Sequence, residues 1–349
     1  MRLGLVLYGG VSLAIYINGI AHEFFRAVRG RGIYRLLKAL TDSDVAVDII
    51  SGTSAGGING IFLASCLCNE GSSFEKSAQL WREHGDIRAL LRKADDTQAF
   101  LSLLNSEGYY LPRLADALVD MHSPPPGPGE QDEDPSLVNE LDLFITGTDV
   151  EGNISTKFDD AGNPIQVKDH RSVFLLKHRK GRKEPFLMKN GEVHKGSTPV
   201  KALAKLACIT SCFPSAFSPV RISPRNGGAR DSTGAAEDAR LDEWGRLARE
   251  QYRFFLDGGV LDNKPFSYTL RAIFSRHALN EVDRKLCYVE PVPETFPTKS
   301  TSRAEESTPP SGPNILKAVV ASLIGIPRYE SIAEDLKALS NHNSRVQRY

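Results

Sequence analysis

At 349 residues the chain is long enough for one large domain or two small ones, and its 41% hydrophobic and 25% charged residues exclude disorder throughout. Lysine and arginine number 43, aspartate and glutamate 43, so the formal charge is zero. No global field recruits nucleic acid or an anionic membrane, and any such attraction must come from a local patch.

The opening MRLGLVLYGG carries one basic residue and enters a strand directly, unlike a signal peptide, and no apolar run reaches bilayer-spanning length. LGLVLY (3–8) reads as a strand ended by Gly9-Gly10, followed by a helix from Ser12 to about Arg29 with apolar residues at helical spacing. VAVDII (45–50) reads as a second strand, followed by a glycine-flanked turn and a helix over Ala55–Leu67. Two strand–turn–helix units in succession predict a parallel sheet with helices on its faces. Sites on such sheets lie at the carboxyl ends of the strands, where Gly9-Gly10 and Ser54 both fall.

Residues 73–121 read as several helices, including TQAFLSLLN (97–105), forming a layer or lid. SPPPGPGEQDEDP (123–135) reads as a mobile surface connection. LDLFITGTDV (141–150) is a strand, and two hairpins are expected after it, turning at Asp160–Asn163 and at Lys180-Gly181. The second tip carries Lys177, His178, Arg179, Lys180, Arg182 and Lys183, which suits lipid headgroups or phosphates, or simply a solvated turn that discourages edge pairing. TPVKALAKLACITSCF (198–213) is helical, and 223–240 reads as a mobile polar insertion. YRFFL (252–256) is a strand running into Asp257-Gly258-Gly259, and Asp262 or Asn263 is expected to cap a helix over about 265–278. KLCYVEPV (285–292) is the last clear strand. The expected organisation is a catalytic domain over 1–292, a low-complexity linker over 293–314 and a helical segment over 315–349, with the chain as the front part of a longer protein.

The five cysteines (Cys66, Cys68, Cys208, Cys212 and Cys287) show no paired zinc spacing and read as reduced thiols, which suits a cytoplasmic protein. His22-Glu23 does not extend to a second histidine at metal spacing, and neither metal nor cofactor is expected.

Two motifs carry chemistry. Gly52-Thr53-Ser54-Ala55-Gly56 has the Gly-x-Ser-x-Gly form of a nucleophile elbow, in which a tight strand-to-helix turn lifts a serine hydroxyl clear of the backbone at a helix amino end. Side chains two positions either side would collide, so glycine is required there. Asp257-Gly258-Gly259 follows an apolar strand directly, which makes Asp257 the best candidate for a base, although Asp-Gly is also a common turn dipeptide. Oxyanion donors are expected from the N–H groups of Gly9, Gly10 and Val11.

Together LVLYGGVSLAIYINGI, GTSAGG and DGG resemble the blocks of the patatin-like phospholipases in family order, and ACITSCFPSAFSP (207–219) and TGTDVEG resemble further family segments. The resemblance runs over about residues 3–291. It implies a three-layer α/β/α sandwich with a mainly parallel sheet, and hydrolysis of lipid or phospholipid esters by a serine–aspartate dyad of Ser54 and Asp257. A lipid substrate brings the expectation of peripheral membrane contact, while the balanced charge gives no expectation of a nucleic-acid partner. One departure stands out: the family's Gly-Gly-Gly-x-Arg/Lys-Gly is here Gly9, Gly10, Val11, Ser12, Leu13 and Ala14, without the third glycine, the cation or the last glycine. Two other readings are a Ser–His–Asp esterase, for which only His277 and His342 follow Asp257, and a non-catalytic lipid-binding scaffold.

Overall fold

The computed structural model describes all residues except 11–13, 84, 86, 94–101, 124–137, 183, 184, 187, 189–192, 225–234, 248, 249, 277–281, 291–331 and 347–349, and describes Ile87 by its backbone alone. Several expectations fall outside the described residues: Val11, His277, the linker at 293–314, the run ILKAVVASLIGI and most of both polar insertions.

Strand β1 (Arg2–Leu7) leads to α1 (Ala14–Val28) and α2 (Ile33–Thr41), then β2 (Ala46–Gly52) and α3 (Ser54–Cys68). A helical layer follows in α4 (Ser77–Glu83), α5 (Ile87–Leu90) and α6 (Leu111–His122). β3 (Glu140–Phe158) and β4 (Pro164–Arg179) form a long hairpin. Then come α7 (Thr198–Ser211), β5 (Val220–Ile222), α8 (Ala235–Gly245), β6 (Arg253–Asp257), α9 (Phe266–Ser275), β7 (Arg284–Val289) and α10 (Ala333–Val346).

The seven strands form one mixed sheet, with β3, β2, β1 and β7 parallel neighbours and β4, β6 and β5 antiparallel additions. β1 shows how the layers arise. Its side chains alternate faces: Leu3, Leu5 and Leu7 join the core under α1, α3 and α7, while Val6 and Tyr8 pack with Phe266 and Leu270 of α9. Gly4 leaves room for α9, since a Cβ there would lie 2.9 Å from the Thr269 methyl. α3 is buried along all 15 residues, which its sequence of small and apolar residues allows. The result is the expected three-layer α/β/α sandwich.

β3 does more than its sequence announces. β4 pairs with residues 140–148 of β3 along one edge. β2 pairs with 142–145 and β6 with 147–149, so both must occupy the other edge. β2 runs parallel to β3 and β6 antiparallel, so the two strands meet head to head, with Gly52 opposite Ile145 and Asp257 opposite Gly147.

Three expectations are corrected. Residues 102–105 are not helical; Leu104 instead bridges to Leu91. Much of the returning arm expected after the turn at Lys180-Gly181 lies outside the described residues. The basic cluster at that turn is divided, because His178 is buried with its ring against the Val138 carbonyl and Arg179 pairs with Asp142 at 2.8 Å. The back of the polar insertion, from Ala235, is helix α8, held because buried Asp238 pairs with Lys205 and accepts the Ser223 N–H.

At the amino ends of the strands lies an ion network. Asp48, buried on β2, meets Arg284 through both oxygens (3.0 and 2.8 Å), Arg276 at 3.1 Å and Arg2 at 3.4 Å. Arg276 also pairs with Asp142, and Arg2 reaches Glu140 at 2.7 Å. These pairs join β1, β2, β3, β7 and the end of α9 at one edge of the sheet.

Candidate active site

The elbow forms because β2 ends in Gly52 and α3 starts at once. Ser54 has φ +52°, the left-handed region that non-glycine residues rarely enter, as a nucleophile elbow requires. Sterics explain the flanking glycines. A Cβ on Gly56 would lie 2.2 Å from the Leu7 carbonyl oxygen, and one on Gly52 would lie 2.7 Å from the Gly56 carbonyl oxygen. Thr210 of α7 accepts the Ser54 N–H at 3.0 Å and steadies the strained residue from the side.

Ser54 Oγ donates to Asp257 Oδ2 at 2.8 Å. Both residues are almost wholly buried, at 4% and 2% exposure. The two carboxylate oxygens face different partners: Oδ1 accepts the Gly259 N–H at 2.7 Å, and Oδ2 is left to the serine. The Asp257 main chain is also fixed, its N–H to the Cys212 carbonyl and its carbonyl to Thr148 Oγ1, both at 2.9 Å. Burial pushes the Asp257 carboxyl up to about 7, and the hydrogen bonds from Gly259 and Ser54 offset only part of that rise. Among the described residues no lysine or arginine forms an ion pair with it.

The head-to-head meeting of β2 and β6 leaves Thr146 of β3 between the motifs. Its Oγ1 lies 2.6 Å from that of Thr53, which itself donates to the Asp262 carbonyl at 2.9 Å. Gly258 is dictated by the same contact, since a Cβ would lie 2.1 Å from Thr146 Oγ1.

The glycine loop is anchored at both ends. The Gly9 N–H donates to the Asn263 carbonyl at 3.3 Å, and the Asn263 side chain occupies the space a Gly9 Cβ would fill. Gly9 is thus an anchor in this structure, with its N–H directed away from the role of oxyanion donor. At the far end Asn59 of α3 donates to the Ala14 carbonyl at 3.1 Å and accepts from Asn18. Gly10 lies between these anchors, and Val11 is outside the described residues. Asn263 was expected to cap α9, but neither it nor Asp262 does so: α9 has no side-chain cap, and both carbonyls serve the site instead.

Among the described residues no histidine is hydrogen-bonded to Ser54 or Asp257. His342 of α10 stacks on Phe274 with centroids 4.3 Å apart, and His277 is outside the described residues. All five cysteines are free thiols, and burial pushes those of Cys66 and Cys212 up to about 12.

Sequence reasoning brought together Ser54, Asp257, Gly52, Gly56, Gly258 and Gly259. It missed Thr53, Thr146, Thr210, Asn59 and Asn263. Asn59 had one faint signal: it is a polar residue inside an otherwise small and apolar helix, where burial must satisfy it.

A serine hydroxyl bonded to a buried, cation-free carboxylate, on an α/β/α sandwich, is an arrangement suited to acyl-transfer hydrolysis. The comparison with known proteins narrows the class. The model of the family described as patatin-like phospholipase matches residues 5–270, and the chain belongs to that family of lipid acyl hydrolases. The chain is also 30% identical over 378 aligned positions to a Mycobacterium tuberculosis protein named "Uncharacterized membrane protein Rv3479". That alignment covers 99% of this chain and 32% of the relative, so the chain spans about a third of the relative's length. Among the described residues no helix is long and apolar enough to cross a membrane.

Proposed function

We propose that the chain is a serine acyl hydrolase that releases fatty acid from lipid or phospholipid esters, with Ser54 as nucleophile and Asp257 as general base. The hydrogen bond of 2.8 Å from Ser54 Oγ to Asp257 Oδ2 carries this reading. In the first step the Ser54 proton passes to Oδ2 while Oγ attacks the acyl carbonyl. The oxyanion is held by the N–H of Gly10, joined by Val11, at the amino end of α1. Asp257 then gives the proton to the leaving alcohol or lysolipid. A water, deprotonated by Asp257, attacks the acyl-serine, and Ser54 recovers its proton as the fatty acid leaves.

A carboxyl titrating near 7 suits both halves of this cycle, because it can accept and return a proton at neutral pH. The hydrogen bond from Gly259 holds Oδ1, so the proton is handled at Oδ2 alone. Asn263 and Asn59 act as positioning residues that hold the glycine loop beside Ser54, in a loop whose family pattern is only half kept. The protein works at or near membranes on its lipid substrate, without a cofactor.

The test is labelling by a serine-directed fluorophosphonate, together with fatty acid release from phospholipid vesicles. Wild type should label and turn over, and Ser54→Ala should do neither. Asp257→Asn should fold and lose turnover. Full fatty acid release by either variant would overturn the assignment.

A further inference from the structure

Helix α2 is built the wrong way round for a helix of a water-exposed surface. Ile33, Leu36, Leu37 and Leu40 fall within one narrow stripe at helical spacing, and Arg35 and Lys38 lie on the other side. In a globular protein such a stripe faces the core. Here it faces solvent: Ile33 is 58% exposed, Leu36 54%, Leu37 46% and Leu40 73%, and none of the nine residues of α2 is buried. The inward side is the polar one, with Tyr34 donating to Glu23 at 3.2 Å and Lys38 paired with Asp44 at 2.9 Å.

The apolar surface continues along α1. A groove of about 630 Å³, walled chiefly by apolar groups of Tyr16, Ile20, Phe24, Tyr34 and Val45, runs from α2 towards Ile15. Ile15 and Tyr16 are each half exposed and lie in the first turn of α1, next to the glycine loop in sequence. Cations are concentrated in this part of the sequence: from Phe24 to Thr41 the chain carries Arg26, Arg29, Arg31, Arg35 and Lys38 and no carboxylate. Arg29 is buried on the Cys66 and Asn69 carbonyls, and Arg26 and Lys38 pair with Glu23 and Asp44, so the surface presents half-buried Arg31 and exposed Arg35. Glu23 precedes this stretch, and Asp42 and Asp44 follow it.

We infer that α2 and the outer flank of α1 form a membrane tether, with the leucine stripe lying in the interfacial layer of an anionic bilayer and the cations at the headgroups. An aliphatic stripe flanked by Arg and Lys is the composition of an interfacial helix, since the cations reach the headgroups while their stems lie over apolar surface. A second copy of the chain fits less well. Two such surfaces would bring Arg31 and Arg35 of both copies together. The tether accounts for lipid attachment by a chain without net charge and is separate from the Ser54 assignment.

Co-sedimentation of the full chain with phosphatidylcholine vesicles, with and without phosphatidylglycerol, tests it. Wild type should bind the anionic vesicles more tightly. The Leu36→Ser/Leu40→Ser double variant should bind them about tenfold more weakly or worse, because two aliphatic anchors are lost. Arg35→Gln should weaken anionic binding about fivefold and leave binding to neutral vesicles unchanged. The double variant should keep the wild-type melting curve, since both leucines face solvent. Ser54→Ala should bind as wild type does, which separates tethering from catalysis. The inference is overturned by a double variant that binds like wild type, by one whose melting temperature drops, or by loss of binding in Ser54→Ala. A wild-type dimer that the double variant dissolves would also overturn it and make the face a contact between copies.

Discussion

Asp48 and Asp257 are carboxylates on strands of one sheet, both at most 2% exposed, at opposite ends. Asp48, on β2 near the amino ends, faces Arg2, Arg276 and Arg284. Among the described residues the Asp257 carboxylate, at the end of β6, has as hydrogen-bond partners the Ser54 hydroxyl and the Gly259 N–H. Burial with cations makes a staple. Burial without them leaves a carboxylate that holds its proton more tightly than usual, so that it exchanges near neutral pH, as a general base must.

The largest expected effect separates the two by function. Asp257→Asn should lower fatty acid release by about 10³- to 10⁴-fold, the scale seen when an acyl-transfer site loses its base. Asp48→Asn, assayed on the folded fraction, should leave turnover within about twofold, because Asp48 lies at the opposite end of the sheet from the proposed dyad. Comparable losses in both variants would abolish the distinction.

Stability should divide the other way. Asp48→Asn leaves guanidinium groups packed against one another, at a cost of about 3–5 kcal/mol in urea unfolding. Asp257→Asn should be no less stable than wild type at neutral pH.

A third measurement follows from pH. The Asp257 carboxyl ionises near 3.8 when unfolded and about 7 when folded. Between those values the unfolded chain has released a proton that the native state keeps, so stability falls as pH rises through the window and levels off above it. The fall attributable to this one group is roughly 4 kcal/mol at most, and Asp257→Asn should lack it. Turnover runs in the opposite sense: kcat/KM should rise with pH and level off above about 7, as Asp257 becomes ionised. Urea midpoints and initial rates across this range check both slopes.

The smallest effect concerns the rim of the staple. Arg2 contacts Asp48 and Glu140, but its side chain is 34% exposed. Arg2→Ala should cost under about 1 kcal/mol by the same unfolding assay.

What the sequence disclosed and what it hid follow from the range of the forces involved. Gly52, Gly56 and Gly258 were legible because steric collisions at a tight turn leave no alternative to glycine. The alternation along β1 was legible because one face of a strand meets one layer. The direction of β6 was not, because LDLFITGTDV says nothing about sharing one edge between two opposed strands. Asn263 read as a helix cap because capping is a local rule, whereas its carbonyl serves Gly9, far away in sequence. The basic tip at 177–183 misled for the same reason: a row of cations gives no sign that Arg179 is bound for Asp142. The sequence reading assigned no element to 33–41, where α2 lies, and a sequence shows that a stripe is apolar but not which way it faces.

The opposed arrival of β2 and β6 on β3 also sets when the site can exist. Ser54 and Asp257 are 203 residues apart, and the sheet edge that aligns them lies between them in sequence. At ~5–20 residues per second of synthesis, on the order of 10–40 s pass between emergence of the serine and of the aspartate. During that interval the elbow can fold on β1 and β3, yet the partner of the Ser54 hydroxyl is missing. On the proposed dyad, a nascent chain that has not reached β6 carries a serine without its base.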